Sequence, residues 1–232
     1  MKHISLILIL FSSLSSLYAQ SSKENSTEIS TKEIERLFPD SIKKAMNIIY
    51  PIFTVFKYND KSGNYYCFFT ENNSYINSKN DTFNDKIRAI AIKEFNGSYN
   101  KLWEINDFIV KNNNMEYNIW FWTKYMEFKD IDGDKVIDPI IIYGTLGKND
   151  FDDGRLKIII FYKGRKIAIR HQNGVFDFER EIKVDKTFYE LPEEIQTFII
   201  NLMIKIEKNN QAIFPAYWQK DMRNNKTIIN ER

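Results

Sequence analysis

From Ile52 to about Gln172 the apolar residues recur at every second position, and no gap between the runs holds a helical crossover. A parallel strand pair needs a crossover of a dozen or more residues, so short connections oblige sequential strands to run antiparallel. The runs are Phe53–Lys57, Tyr65–Phe69, Lys86–Phe95, Lys101–Val110, Asn118–Phe128, Pro139–Gly144, Leu156–Tyr162 and Lys166–His171. Each is bounded by Asn, Asp or Gly, the residues that turn a chain at low steric cost. The first two are joined by "NDKSG", a five-residue turn with its Gly at the end. The period of two predicts an antiparallel β-meander of about eight strands over residues 52–172.

On either side the period changes to three and four. Ile34, Leu37, Phe38, Ile42, Ala45, Met46 and Ile49 predict helix within residues 30–50. Ser30 with Glu33 offers a capping box at its start, Pro39 divides it, and Pro51 ends it. Residues 190–232 form a C-terminal helical part. Pro192, Glu193 and Glu194 open it, with acids near the positive end of the helix dipole. Ile195, Phe198, Ile199, Leu202, Met203 and Ile206 are its apolar stripe, and the segment around Tyr217-Trp218 packs back on the sheet. The predicted class is α+β, one domain over residues 30–232, with helices flanking the meander. No fixed-period repeat of the kind that builds a propeller is present.

The N-terminus reads as an address. Met1-Lys2-His3 precedes an apolar run, Ile4–Phe11, and a small-residue segment, "SSLSSLYAQ". These are the parts of a secretory signal peptide, residues 1–19, cleaved after Ala19. The run is far short of the roughly 20 residues that span a bilayer, and no later segment spans either. Residues 20–29, "QSSKENSTEI", are polar and read as a flexible leader. The expected mature chain of about 213 residues (232 minus 19) can bury a sizeable core. Its formal charge, +2 for the whole chain and about +1 after loss of Lys2, gives no pull toward nucleic acid or an anionic membrane. Cys67 is the single cysteine, so no intrachain disulfide forms, and stability rests on the core and on any bound ion. The wealth of Asn, Lys and Ile is that of an AT-rich genome. With the signal peptide it points to an exported bacterial protein.

"DIDGDKVIDP" crowds Asp130, Asp132, Asp134 and Asp138 into nine residues in front of an apolar strand. Two unit charges about 5 Å apart at an effective dielectric of about 20 repel by about 3 kcal/mol. A hard cation removes that repulsion. Ca²⁺ takes six to eight oxygens, which the four carboxylates and the Val136 carbonyl supply in part. Gly133 lets the loop turn, and Ile140–Tyr143 anchor it in the core. The loop is not an EF-hand, since Lys135 and Ile141 stand where that motif has Gly and Glu. The alternative is a solvated acidic turn. A second acidic turn, Asp150-Phe151-Asp152-Asp153-Gly154, matches no ligand spacing and reads as a plain turn.

The spacing D-x-D-G-D-x-x-x-D resembles the calcium loop of FG-GAP and VCBS-type β-propeller repeats, which carry Gly where Lys135 stands. The resemblance implies a structural ion, held weakly. Three further blocks, "KDIDGDKVIDPIIIYGT", "DDGRLKIIIFYKGRKIAIRHQNG" and "FEREIKVDKTFYELPEEIQ", resemble a family of secreted surface polysaccharide biosynthesis proteins of AT-rich Gram-negative bacteria. That resemblance covers roughly residues 50–220. It implies a role in making lipopolysaccharide or capsule, at the periplasm or cell surface, and names no reaction.

Candidates for chemistry are few. His171, near Asp177 and Glu179, is a possible acid–base group of a glycan-modifying enzyme; a lone His at a strand end is more often structural. Cys67 in "YYCFFT" reads as a buried thiol without an activating base. Arg155, Lys163, Arg165, Lys166 and Arg170 form either a face for an anionic glycan or an ordinary solvated strand face. Trp103, Trp120 and Trp122 are candidates to stack on sugar rings, or else core. The sequence therefore favours an exported, non-enzymatic, calcium-binding protein that assists surface polysaccharide biogenesis or binds glycan. The alternatives are the enzyme built on His171 and a purely structural envelope protein. Surface glycan and envelope proteins are the expected partners.

Overall fold

The computed structural model describes residues 26–110, 116–147, 149 and 153–231. The expected signal peptide, the first part of the leader, and Asp150 and Asp152 lie outside them. The protein is mostly β, and its sheets are antiparallel. One sheet has five strands in the order β1 (Ser26–Glu28), β2 (Ile52–Asp60), β3 (Gly63–Glu71), β6 (Lys86–Phe95) and β7 (Ser98–Phe108). A small hairpin, β4 (Tyr75–Ile76) and β5 (Thr82–Phe83), projects between β3 and β6. The second sheet has seven strands: β8 (Glu116–Phe121), β9 (Glu127–Lys129), β10 (Asp138–Gly147), β11 (Arg155–Tyr162), β12 (Arg165–Gln172), β13 (Glu181–Val184) and β14 (Ile228–Asn230). Both β8 and β9 pair with β10.

The single eight-stranded meander is thus corrected to two sheets, because the ladder breaks between β7 and β8. The reason lies in the strands' composition. Along β10 and β11, Ile141, Tyr143, Ile159 and Phe161 face one way and Ile140, Ile142, Ile158 and Ile160 the other, and all are buried. The first set packs against Tyr65, Cys67, Phe69, Ala89 and Ile105 of the other sheet. A single open sheet has no second sheet to cover that face. Folding the strand series back on itself does cover it.

Helices cover the two outer faces. Thr31–Leu37 is α1 and Asp40–Ala45 is α2, divided at Pro39 as the sequence predicts. The Glu33 N–H donates to Ser30 Oγ at 3.3 Å, which caps α1. Phe38, fully buried, packs on Tyr66, Phe68 and Tyr99 of the first sheet. On the other side α3 (Glu193–Lys208) and α4 (Trp218–Arg223) cover Ile140, Ile158, Ile169 and Ile182. No helix among the described residues is long and apolar enough to cross a membrane.

Two further expectations are corrected. Residues 26–29 of the expected flexible leader are ordered: β1 pairs with β2 and Ile29 is buried. Ser26 and Thr27 find partners through their backbone, which a composition-based reading does not see. The C-terminal part is not helical throughout, since Ile228–Asn230 return to the second sheet as its edge strand. The run Asn118–Phe128 is also interrupted, by a 3-10 turn at Thr123–Tyr125 between β8 and β9.

Candidate metal centre

The loop between β9 and β10 carries the acidic cluster. Gly133, with φ of +77°, and Lys135, with φ of +67°, both adopt the left-handed conformation, and their turns coil the chain back on itself. For a lysine this conformation costs about 1 kcal/mol or more. It persists because both sides of Lys135 are tied. Its N–H donates to Asp130 Oδ2 at 2.8 Å, and its carbonyl accepts from the Lys61 N–H at 3.2 Å.

The coil brings Asp130, Asp132 and Asp138 together, with one oxygen of each within 4.8 Å of the others. Asp138 is 2 % exposed. Burial pushes its carboxyl up to about 7, aided by the charges of Asp132, Asp134 and Asp130 and resisted by the Ile131 N–H at 3.0 Å. Asp132 accepts from Tyr162 Oη at 3.0 Å and from the Asp134 N–H at 3.2 Å. Three carboxylates this close could hold a metal ion.

Asp134, one of the four expected side-chain ligands, is placed differently. It forms an ion pair with Lys163 at 3.2 Å and accepts the Val136 N–H at 2.8 Å, and it stands outside the three-carboxylate group. Val136, expected as a carbonyl ligand, is held in the loop by that same N–H. Three groups that sequence reasoning missed complete the surroundings. Asp60, at the end of β2, accepts the Ile137 N–H at 3.1 Å; Lys61 donates to the Asp134 carbonyl; Tyr162 holds Asp132. They lie at hairpin tips distant in sequence, so only the packing of the two sheets brings them to the loop.

The remaining candidates scatter. His171 is 3 % exposed, with Nδ1 3.1 Å from the Glu181 carbonyl and Nε2 2.6 Å from Asn173 Oδ1, and its ring meets Phe214 edge-on. Burial pushes its pKa down to about 4. Asp177 pairs with Arg180 at 2.6 Å, and Glu179 caps the Phe176 N–H at 3.1 Å. The ring nitrogens are engaged by Asn173 and Glu181, not by these acids, so the structure does not assemble the acid–base pair. Since the unfolded His binds its proton near 6.5 and the folded one near 4, stability falls as pH drops through that window. We expect His171→Gln to flatten the decline, and urea unfolding at pH 5 and pH 7 measures it.

Cys67 is fully buried and burial raises its thiol pKa, which suits an inert core residue. Of the basic segment, Arg155, Lys163, Arg165 and Arg170 are ion-paired with Asp107, Asp134, Glu190 and Asp185 respectively. Trp103, half-buried, stacks on Phe161 at 3.9 Å and packs against the core between the sheets. Trp120 and Trp122 lie together at the end of β8, with ring centroids 5.9 Å apart. Asp153 of the second acidic turn is buried and accepts from Asn149 at 2.9 Å, a turn contact. Comparison of the chain with protein-family models, curated proteins and solved structures finds no match.

Proposed function

We propose that this is an exported, non-enzymatic envelope protein that binds Ca²⁺ in the β9–β10 loop and assists surface polysaccharide biogenesis by holding glycan. The observation that carries the metal part is the convergence of Asp130, Asp132 and the buried Asp138 on one point. Asp134 and the Val136 carbonyl complete the set once the ion draws the loop in. Because Asp60, Lys61, Tyr162 and Lys163 all contact this loop, an ion there braces a hairpin from each sheet. Its role is structural. The polysaccharide part rests on the sequence resemblance, and the signal-peptide pattern supports export. The enzyme reading is not favoured, because His171 is enclosed and its ring nitrogens are engaged.

A site of about 10⁻⁴–10⁻³ M affinity, at calcium ten times the dissociation constant, stabilises by about 1.4 kcal/mol. For a chain of this size that raises Tm by roughly 3–5 °C. We expect this rise for residues 20–232 on going from EDTA to millimolar Ca²⁺, and no rise in an Asp130→Asn/Asp132→Asn variant. An unchanged melting curve in the parent protein would remove calcium from the proposal.

A further inference from the structure

Beyond the acidic loop, one concavity has the composition of a sugar subsite. A cavity of about 370 Å³ lies where β2 of the first sheet, the end of β8 and the turn after α3 meet, and it is lined by Phe53, Trp120, Trp122, Tyr125, Asn209 and Gln211 among others. That volume is in the range of small-ligand sites.

The aromatic wall is built. Trp122 is buried against the β10 backbone at Gly144, where a Cβ would stand 2.6 Å from the indole, so only glycine lets the ring settle there. Tyr125 is buried beside it, and its hydroxyl accepts from Asn209 Nδ2 at 2.9 Å, which fixes that amide in the wall. Trp120 is half-buried. Phe53, 52 % exposed, also lines the cavity.

A wall of rings beside amide groups suits a ligand with one apolar and one hydrogen-bonding aspect. A pyranose has that form: its C–H face stacks on a ring and its hydroxyls bond to amides. A purely apolar ligand would strip water from the Asn209 and Gln211 amides without replacing its hydrogen bonds. Charge narrows the class further. Lys124 lines the cavity, and the ammonium groups of Lys124 and Lys205 stand 5.5 and 5.8 Å from the Tyr125 ring centroid. The one lysine lining the cavity, Lys124, with Lys205 on the Tyr125 ring behind it, favours a carboxylate on the ligand.

We propose that this cavity binds one residue of an acidic glycan, stacked on the rings of Phe53 and Trp120, with Asn209 and Gln211 on its hydroxyls and Lys124 on its carboxylate. The site rests on the glycan-binding reading above and gives it a location.

The test is titration of residues 20–232, in millimolar Ca²⁺, with a tetramer of galacturonic acid and a tetramer of galactose, followed by tryptophan fluorescence and calorimetry. The acidic tetramer is expected to bind more tightly. Phe53→Ala, at an exposed position that leaves the fold intact, is expected to weaken binding about tenfold, the effect of losing one stacked ring. Gln211→Ala is expected to weaken both ligands, and Lys124→Ala only the acidic one. Equal affinity for the two tetramers would overturn the charge assignment. Binding undisturbed by Phe53→Ala and Gln211→Ala would overturn this site while leaving glycan binding in place elsewhere. Binding of neither tetramer would overturn the site and the glycan-holding reading together, independently of the calcium result.

Discussion

Replacing Arg155 by Ala is expected to destabilise the protein by about 3 kcal/mol, the size of effect seen when one member of a buried ion-pair network is removed. Arg155 stands on β11 and reaches across to the first sheet. Its guanidinium meets Asp107 at 3.0 Å, Glu116 at 2.9 Å and the Phe108 carbonyl at 2.9 Å. It therefore joins the last strand of one sheet to the first strand of the next at the place where the ladder breaks. Glu116 is the group most harmed by the change. Lys157 remains to neutralise Asp107, whereas among the described residues Glu116 keeps the Thr145 hydroxyl at 2.7 Å and no cation. Although burial pushes the Asp107 carboxyl up, Lys157 and Arg155 outweigh it and hold it below its usual range. Arg155→Lys should recover less than half of the loss, because a point charge cannot reach three acceptors with a planar fork. Denaturant unfolding with the m-value checked for two-state behaviour measures both variants. A cost for Arg155→Ala below about 1 kcal/mol would show that the network is solvated and holds nothing together.

Asp138→Asn is expected to do the opposite in the metal-free protein and to stabilise it, by roughly 4 kcal/mol at pH 8. The unfolded Asp138 carboxyl loses its proton near 3.8 and the folded one near 7. Between those values the unfolded chain binds fewer protons, so stability falls as pH rises and the penalty is complete above about pH 7. Asparagine carries no charge, and its oxygen still accepts the Ile131 N–H. The gain should vanish below about pH 3, where both states of the parent are protonated. His171 titrates in the opposite sense over part of this range, so the informative quantity is the difference between parent and variant at each pH. In Ca²⁺ the gap should narrow by about 1.4 kcal/mol, because the ion stabilises the parent's carboxylate and has too few anionic ligands in the variant. A variant less stable than the parent in EDTA at pH 8 would mean that Asp138 is already compensated without an ion.

How much of this was legible beforehand differs from element to element. Lys86–Phe95 was legible to the residue, because ten residues of alternating and mostly apolar side chains bounded by Asp85 and Asn96 admit one reading. The division of the N-terminal helices at Pro39 was legible because the ring forbids a continuous backbone there. Ser26–Glu28, Ile228–Asn230 and the β4–β5 hairpin were not, since strands of two or three residues are too short for a period to show. In the acidic loop, Asp130, Asp132 and Asp138 were legible from spacing. The pairing of Asp134 with Lys163 and the approach of Asp60 were not, since both depend on hairpin tips that meet only in three dimensions.

The sequence by itself determined the local order of the chain: where it turns, where it is extended or helical, and which oxygens lie close along one loop. Those follow from side-chain period, proline and glycine, which act over a few residues. The tertiary structure alone decided that the strand series folds into two facing sheets, that His171 is enclosed, and that Phe53 and Trp120 line one cavity. Burial of apolar surface is non-directional and acts between segments far apart in sequence, so it selects these arrangements without leaving a pattern along the chain.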